Sequence, residues 1–471
     1  MRKILAATII MILVLLIGIS ACTRQPVEQV DPTASPVAKE TLSPLKSTPT
    51  PALEDTDFNV DVANLEGIQI HFLHPWTGET LELLTTMVDQ FNQTNEWGIH
   101  VIMTAPGSAA QVTSRIREEI ANDIPSSVVV APVSLLLAID EQHELVVDLK
   151  PYLVSTSFGF DESLIEDFNS EYWNEGLINR KRLGIPAQRS ALLMAYNNSW
   201  GNELGFKAAP QTTEEFREQV CAANASFRKD DDPSNDGFGG WIINTQAASV
   251  YNWLLAFNTD PFTNGDYDFT TPDAEDAFTY LYDLKMKNCA WASRTPQEAD
   301  RFANREALLH TMWMQDLNSQ RAAMTRIGSK DDWTVTTFPG MEEETVLTSG
   351  SSYAVLHQDA ENDLAAWLFI RWLSQPTQQA RLLATMGTLP LGNLVMEQMR
   401  EYGEQNPIWQ ETVDMFNRYR VLPVDADWQV FAPVLEDAAW QLWMTEITLE
   451  QIPTILVQMD DLAQELSERH P

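Results

Sequence analysis

The chain has 471 residues and carries 30 Lys and Arg against 67 Asp and Glu, a formal net charge of −37. So acidic a chain excludes a nucleic-acid partner, because phosphate recognition needs cationic side chains. Its length exceeds what one hydrophobic core holds and points to two lobes of ordinary domain size.

Arg2 and Lys3 precede an apolar run from Ile4 to Ile19, and Ser20 and Ala21 are small. A basic start, an apolar middle and small residues before a cut are the marks of an export signal, placed here over residues 1–21. The run is shorter than the roughly 20 apolar residues a membrane span needs. Ile19-Ser20-Ala21-Cys22 resembles a bacterial lipobox, in which the cysteine is acylated and becomes the first mature residue. Residues 23–57 are rich in Pro, Ser and Thr and have no aromatic side chain. Such a segment buries too little surface to offset its ordering entropy, so 22–60 reads as an acylated cysteine on a disordered tether. Two or more acyl chains would hold the chain to the outer face of the cell membrane. With Cys22 acylated, Cys221 and Cys289 remain as an even pair in an oxidising compartment. A disulfide between them is expected; two separate buried thiols are the alternative.

A first α/β lobe is expected over 61–185. Ile68, Ile70 and Phe72 alternate as in a strand, and Leu81, Leu84, Val88 and Phe91 follow at helical spacing. Ile99, Val101 and Met103 alternate again, so the two strands are expected to be parallel around a crossover helix. Val112, Ile116 and Ile120 mark a second helix between Ser108 and Asn122. Ser127–Pro132 reads as a buried strand, followed by a short helix over 135–141. Ser190–Tyr196 is strand-like, and Thr212 with Glu215 has the spacing of a capping box. A helix-rich second lobe is expected over 186–340, with helices at 274–287 and at 301–324, the latter interrupted near Trp313. Ser352–Leu356 reads as a strand, and with the helix over 363–373 it places 340–390 back in the first lobe. Residues 391–471 read as helices packing on the lobes and hinge.

The segment from Ile185 to Val220 resembles the part of bacterial extracellular solute-binding proteins, family 1, that crosses between lobes. It shows Ile-Pro, an apolar strand ending in Tyr196-Asn197, a short helix, a Gly, a Pro and a Thr-capped helix entering Glu215-Phe216. Trp76–Asn95, Thr348–Leu356 and Ala365–Asn393 agree in order and spacing. The resemblance implies a two-lobed periplasmic-binding-protein-like α/β fold with a hinge and an interlobe cleft. It also implies delivery of a sugar or polyol to the membrane subunits of an ABC permease.

Candidate ligand contacts follow. Trp76 and Thr77 lie just past the carboxyl end of the first strand, where open α/β sheets bind ligands and helix-start amides offer donors. Indole faces suit sugar C–H groups, and Trp241, Trp253 and Trp313 lie in segments that face the cleft in the resembled family; packing in the core is the competing role. Gln188 and Arg189 could read hydroxyls or form an interlobe ion pair. Gly350, Ser351 and Tyr353 offer backbone amides and a phenol at a strand start. Asp232, Ser234, Asp236 and Gly237 open like a calcium loop, but Ile243 stands where a bidentate Glu is needed, so a turn is expected and no metal or other cofactor. No hydrolase, metalloprotease or ATPase motif occurs. The expected function is therefore a monomeric, non-enzymatic substrate-binding receptor of a carbohydrate importer. An anchored glycoside hydrolase and a sensory or adhesive lipoprotein are the alternatives.

Overall fold

The computed structural model describes residue 58 and residues 60–263, 266–293, 297–340, 345–415, 418–423, 428–444 and 446–469. The leader, Cys22 and nearly all of the tether lie outside these residues. Among the described residues ten strands form one mixed sheet: β1 (Gln69–Leu73), β2 (His100–Thr104), β3 (Val128–Ala131), β4 (Ile185–Asn197), β5 (Trp241–Ile242), β6 (Ala290–Trp291), β7 (Leu309–Trp313), β8 (Trp333–Thr336), β9 (Thr345–Val355) and β10 (Arg418–Val421).

In the first lobe β1 pairs in parallel with β2 and with β3, as the alternating pattern around a helical segment requires. The helix Gly78–Thr94 buries Leu84, Met87, Val88 and Phe91 against this sheet, one stripe at helical spacing. Ser108 accepts a hydrogen bond from the Gln111 amide and caps the helix Ala109–Ala121. The β3 run is buried throughout, which explains its unbroken valines.

β4 and β9 join this lobe to the second. β9 pairs antiparallel with β3 through Ser352–Val355 and with β4 through Thr348–Tyr353. The farther half of β4 pairs with β7 along one edge and β8 along the other. The β4–β9 register shifts between Ser351 and Ser352, opposite Pro186. A proline has no amide to donate, so a ladder irregularity falls naturally there. Gly350 sits in the close part of this crossing: a Cβ on it would lie 1.9 Å from the Gln188 carbonyl oxygen, so no other residue fits without moving a strand.

In the second lobe β5 is parallel to both β6 and β7. The helix Thr213–Phe227 begins with both bonds of the expected capping box, Thr212 Oγ1 accepting from the Glu215 amide and the Glu215 carboxylate from the Thr212 amide. Cys221 on this helix is joined to Cys289 by the expected disulfide. Gly240, at φ +61°, brings the start of β5 against the Cys289 carbonyl, where a Cβ would lie 2.0 Å from the oxygen.

One expectation is corrected here. Residues 301–324 are not one interrupted helix but helix, strand and helix: Glu298–Ala303, then β7, then Leu317–Ile327 after a short 3₁₀ turn. Main-chain pairing with β4 and β5 holds Leu309–Trp313 extended. Trp440 is 52% exposed, whereas Trp443 is in the second lobe's core.

Helices 393–398, 400–405 and 407–415 place Val395, Met399 and Trp409 in the first core. Trp428–Met444 and Ile452–Arg469 place Leu435, Leu442, Ile452 and Leu456 in the second. The first core also continues under the second lobe, through Phe302, Met312 and Ala323.

Candidate ligand-binding site

In both lobes the parallel strands turn their carboxyl ends toward segments rich in polar and aromatic side chains, the edge where open α/β sheets take ligands. After β1 comes His74-Pro75-Trp76-Thr77. Its main chain is tied down by the His74 amide donating to the Thr104 carbonyl at 3.1 Å. Trp76 is only 9% exposed; its ring lies 5.4 Å from His74, 6.3 Å from Tyr353 and 6.5 Å from Phe72. It is thus more wall than surface. Thr77 is exposed at the start of the helix beginning at Gly78, without a side-chain cap bond.

The crossing strands carry Gln188, Arg189, Gly350, Ser351 and Tyr353. Gln188 faces Ser351 and Arg189 faces Gly350 in the ladder. Gln188 is half-buried, and its side-chain oxygen meets no hydrogen-bond donor of the protein. Arg189 is fully buried. Its guanidinium donates to the Glu175 carboxylate at 2.5 Å, to the Gln188 and Ser351 carbonyls at 2.7 Å and to Ser352 Oγ at 3.3 Å. Both terminal nitrogens of Arg189 are taken up by these partners, and the side chain serves to join β4, β9 and the helix Ser170–Glu175. Tyr353 is fully buried beside Trp76, and burial pushes its phenol well above the ordinary value.

In the second lobe a cavity of about 660 Å³ opens at the carboxyl ends of β5 and β7. Asn244 and Gln246 enter it just after β5, and Trp313 and Asp316 come from the end of β7 and the turn that follows. Gln297, Glu298 and Asp300 line it from the start of the helix Glu298–Ala303, and Arg326 from the helix Leu317–Ile327. The Trp313 amide donates to Asp316 Oδ2 at 3.1 Å, fixing this turn. One residue earlier, the Gln315 amide donates to Ser190 Oγ of β4 at 3.3 Å. Crossing strand and cavity rim are therefore in direct contact. His310 lines the cavity from β7, with Nε2 2.8 Å from Gln320 Oε1.

Trp241 and Trp253 are not at this site. Both are enclosed in the second lobe's core, with ring centres 5.5 Å apart, and Trp241 Nε1 donates to Thr311 Oγ1 at 3.3 Å. Their surroundings are Phe216, Phe338 and Tyr280, so their faces are occupied by protein. Asn244, Gln246 and Asp316 were not singled out from the sequence. The polar run Asn244–Gln246 after Trp241-Ile242 was the available signal, but a two-residue strand is too short to read by periodicity. The acidic segment at 232–237 forms a turn in which Asp232 Oδ1 accepts from the Ser234 amide and hydroxyl. Among the described residues no cluster of three or more His, Cys, Asp or Glu is placed to hold a metal ion.

Residues 86–416 match the family model described as bacterial extracellular solute-binding protein. The chain belongs to this family. The family is extracellular, so the chain works outside the cytoplasm, and no helix among the described residues is long and apolar enough to cross a membrane. No curated protein matches the sequence. The fold is similar to that of the cyclic α-maltosyl-1,6-maltose binding protein from Arthrobacter globiformis, at TM-score 0.68 and 16% identity, over 84% of this chain and 99% of that one. It is also similar to an ABC substrate-binding protein from Listeria monocytogenes in complex with cycloalternan, at TM-score 0.70 and 15% identity, over 85% and 99%. A third similar structure is UgpB from Mycobacterium tuberculosis in complex with glycerophosphocholine, at TM-score 0.67 and 16% identity, over 85% and 98%. The two-lobed α/β fold expected from the sequence is the fold of this family.

Proposed function

We propose that this solute-binding protein captures a carbohydrate between its lobes and delivers it to the membrane subunits of an ABC importer, without chemistry of its own. The observation that carries the reading is the second-lobe cavity, where one indole and several amide and carboxylate side chains meet at strand carboxyl ends beside the crossing strands. Sugars combine apolar C–H faces with dense hydroxyls, and an aromatic face ringed by polar groups answers both. Two of the similar structures are sugar-binding by their own descriptions, which supports the class of ligand. β4 and β9 act as the hinge; contacts made to both lobes at once favour the closed state.

In this reading Trp76, Thr77, Gln188 and the Gly350–Tyr353 segment form the first-lobe wall, and Trp313 is the principal aromatic contact. Residues 61–185 and 340–390 act as the first lobe, 186–340 as the second, and 391–471 as helices bracing both. Cys22 anchors a monomer to the outer face of the membrane through its lipid, with residues 23–60 as a spacer.

The test is a melting-temperature screen against mono- and oligosaccharides, because a ligand of the native state raises the midpoint by mass action. At least one neutral oligosaccharide should raise it. Trp313→Ala should weaken that complex by about 1–3 kcal/mol, the scale of one large side chain's apolar contact, while leaving the unliganded melting temperature near that of the parent. A Trp313→Ala protein that binds unchanged would remove the cavity from the reading.

A further inference from the structure

We infer that the second-lobe cavity takes a carbohydrate free of negative charge, and that Asp316 is the residue that sets this selectivity. The inference rests on the carbohydrate reading of the same site and adds its charge class. The fold alone does not decide the matter: one similar structure holds glycerophosphocholine, a phosphodiester, and others hold neutral sugars. Charge selectivity must therefore come from the side chains.

Among the described residues the charged groups lining the cavity are Glu298, Asp300, Asp316 and Arg326. Arg326 is bound to Asp300, which leaves the carboxylates of Glu298 and Asp316 facing the cavity without that cation. The crossing strands supply no replacement, since the Arg189 guanidinium is buried against Glu175. Asp316 is half-buried, and one oxygen accepts the Trp313 amide. A carboxylate offers about four acceptor sites, so it retains capacity toward a ligand. Hydroxyl groups can donate to those sites in charge-assisted hydrogen bonds. A phosphate group or the carboxylate of a uronate offers acceptors only, and its charge meets the carboxylates in a partly desolvated space where repulsion is stronger than in water. Asn244 and Gln246 can both donate and accept, so they do not discriminate by charge. The selectivity falls to Asp316, which stands beside Trp313 at the cavity rim, with Glu298 as a second contributor.

The test measures binding of the full mature chain, as the parent, as Asp316→Asn and as Glu298→Gln, to two sets of probes. Maltotriose, cellotriose and raffinose form the neutral set; maltose 6′-phosphate, digalacturonate and sn-glycerol 3-phosphate form the anionic set. The parent should bind a neutral probe at least tenfold more tightly than every anionic one. Asp316→Asn should narrow that ratio by weakening the neutral probe and improving the anionic ones, with its melting temperature held near the parent's. Tighter binding of a phosphorylated or uronate sugar would overturn the charge inference and leave the carbohydrate reading standing. So would an Asp316→Asn protein with an unchanged ratio. Binding of glycerol 3-phosphate alone, or of no probe at all, would overturn both.

Discussion

Arg189→Ala is expected to destabilise the protein by about 3–5 kcal/mol, the cost of leaving one member of a buried ion pair without its partner. The Arg189 side chain is fully enclosed and the Glu175 side chain is 7% exposed, with 2.5 Å between Nη2 and Oε2. Removing the guanidinium strands a carboxylate that water barely reaches and also deletes its donation to two carbonyls of the crossing strands. Replacing both partners by apolar residues of similar volume, as in Arg189→Met with Glu175→Leu, should recover part of the loss, since no charge is then left alone. Urea midpoints of the three proteins check this. A sugar-reading arginine would behave differently: Arg189→Ala would keep its stability and lose ligand affinity, and that pattern would return Arg189 to the site.

The second large effect is on pH. Burial lowers His74 and His310 from the ordinary 6.5 to about 4; for His310, hydrogen bonds involving Gln320 and Thr311 oppose burial without overcoming it. Between pH 4 and 6.5 the unfolded chain therefore binds more protons at these positions than the folded one. Stability is complete above 6.5 and falls as the pH drops toward 4, by on the order of 3 kcal/mol for each group. Raised carboxyl groups act the other way and soften the slope; Asp316, Asp363 and Asp460 are all shifted upward, by burial first. Urea unfolding at pH 7, 6, 5 and 4.5 should show the decline, and His74→Phe with His310→Gln should flatten it. Equal slopes for the parent and the double variant would show that these two imidazoles do not govern it.

Much of the fold was legible because local chemistry and tertiary role agree. The β1-helix-β2 unit was readable from apolar spacing, and the helix at 213–227 from its capping box. The Cys221–Cys289 bridge followed from an even count in an exported chain. β7 was missed because Ala307–Met314 is a short, mostly apolar run, broken only by His310 and Thr311 and without Gly or Pro at its ends, and periodicity alone does not separate a buried strand from a helix in such a run. The site was less legible. Trp241, Trp253 and Trp313 look alike in sequence, and only packing separates the two enclosed indoles from the one at a cavity. Arg189 looked equally suited to a ligand or to an ion pair; Glu175, 14 positions upstream, decides for the pair. Asp316 was hidden because an acidic residue among 67 carries no signal until the turn after β7 places it at the rim.

Capture by closure is the central claim, and small-angle scattering tests it most directly. A soluble Cys22→Ser form without the leader would be measured alone and with the tightest neutral oligosaccharide found among maltotriose, cellotriose and raffinose. The account predicts a smaller radius of gyration at saturation, with the sugar recovered intact afterwards. A saturated complex whose scattering matches the free protein, or a sugar recovered as cleaved products, would contradict it.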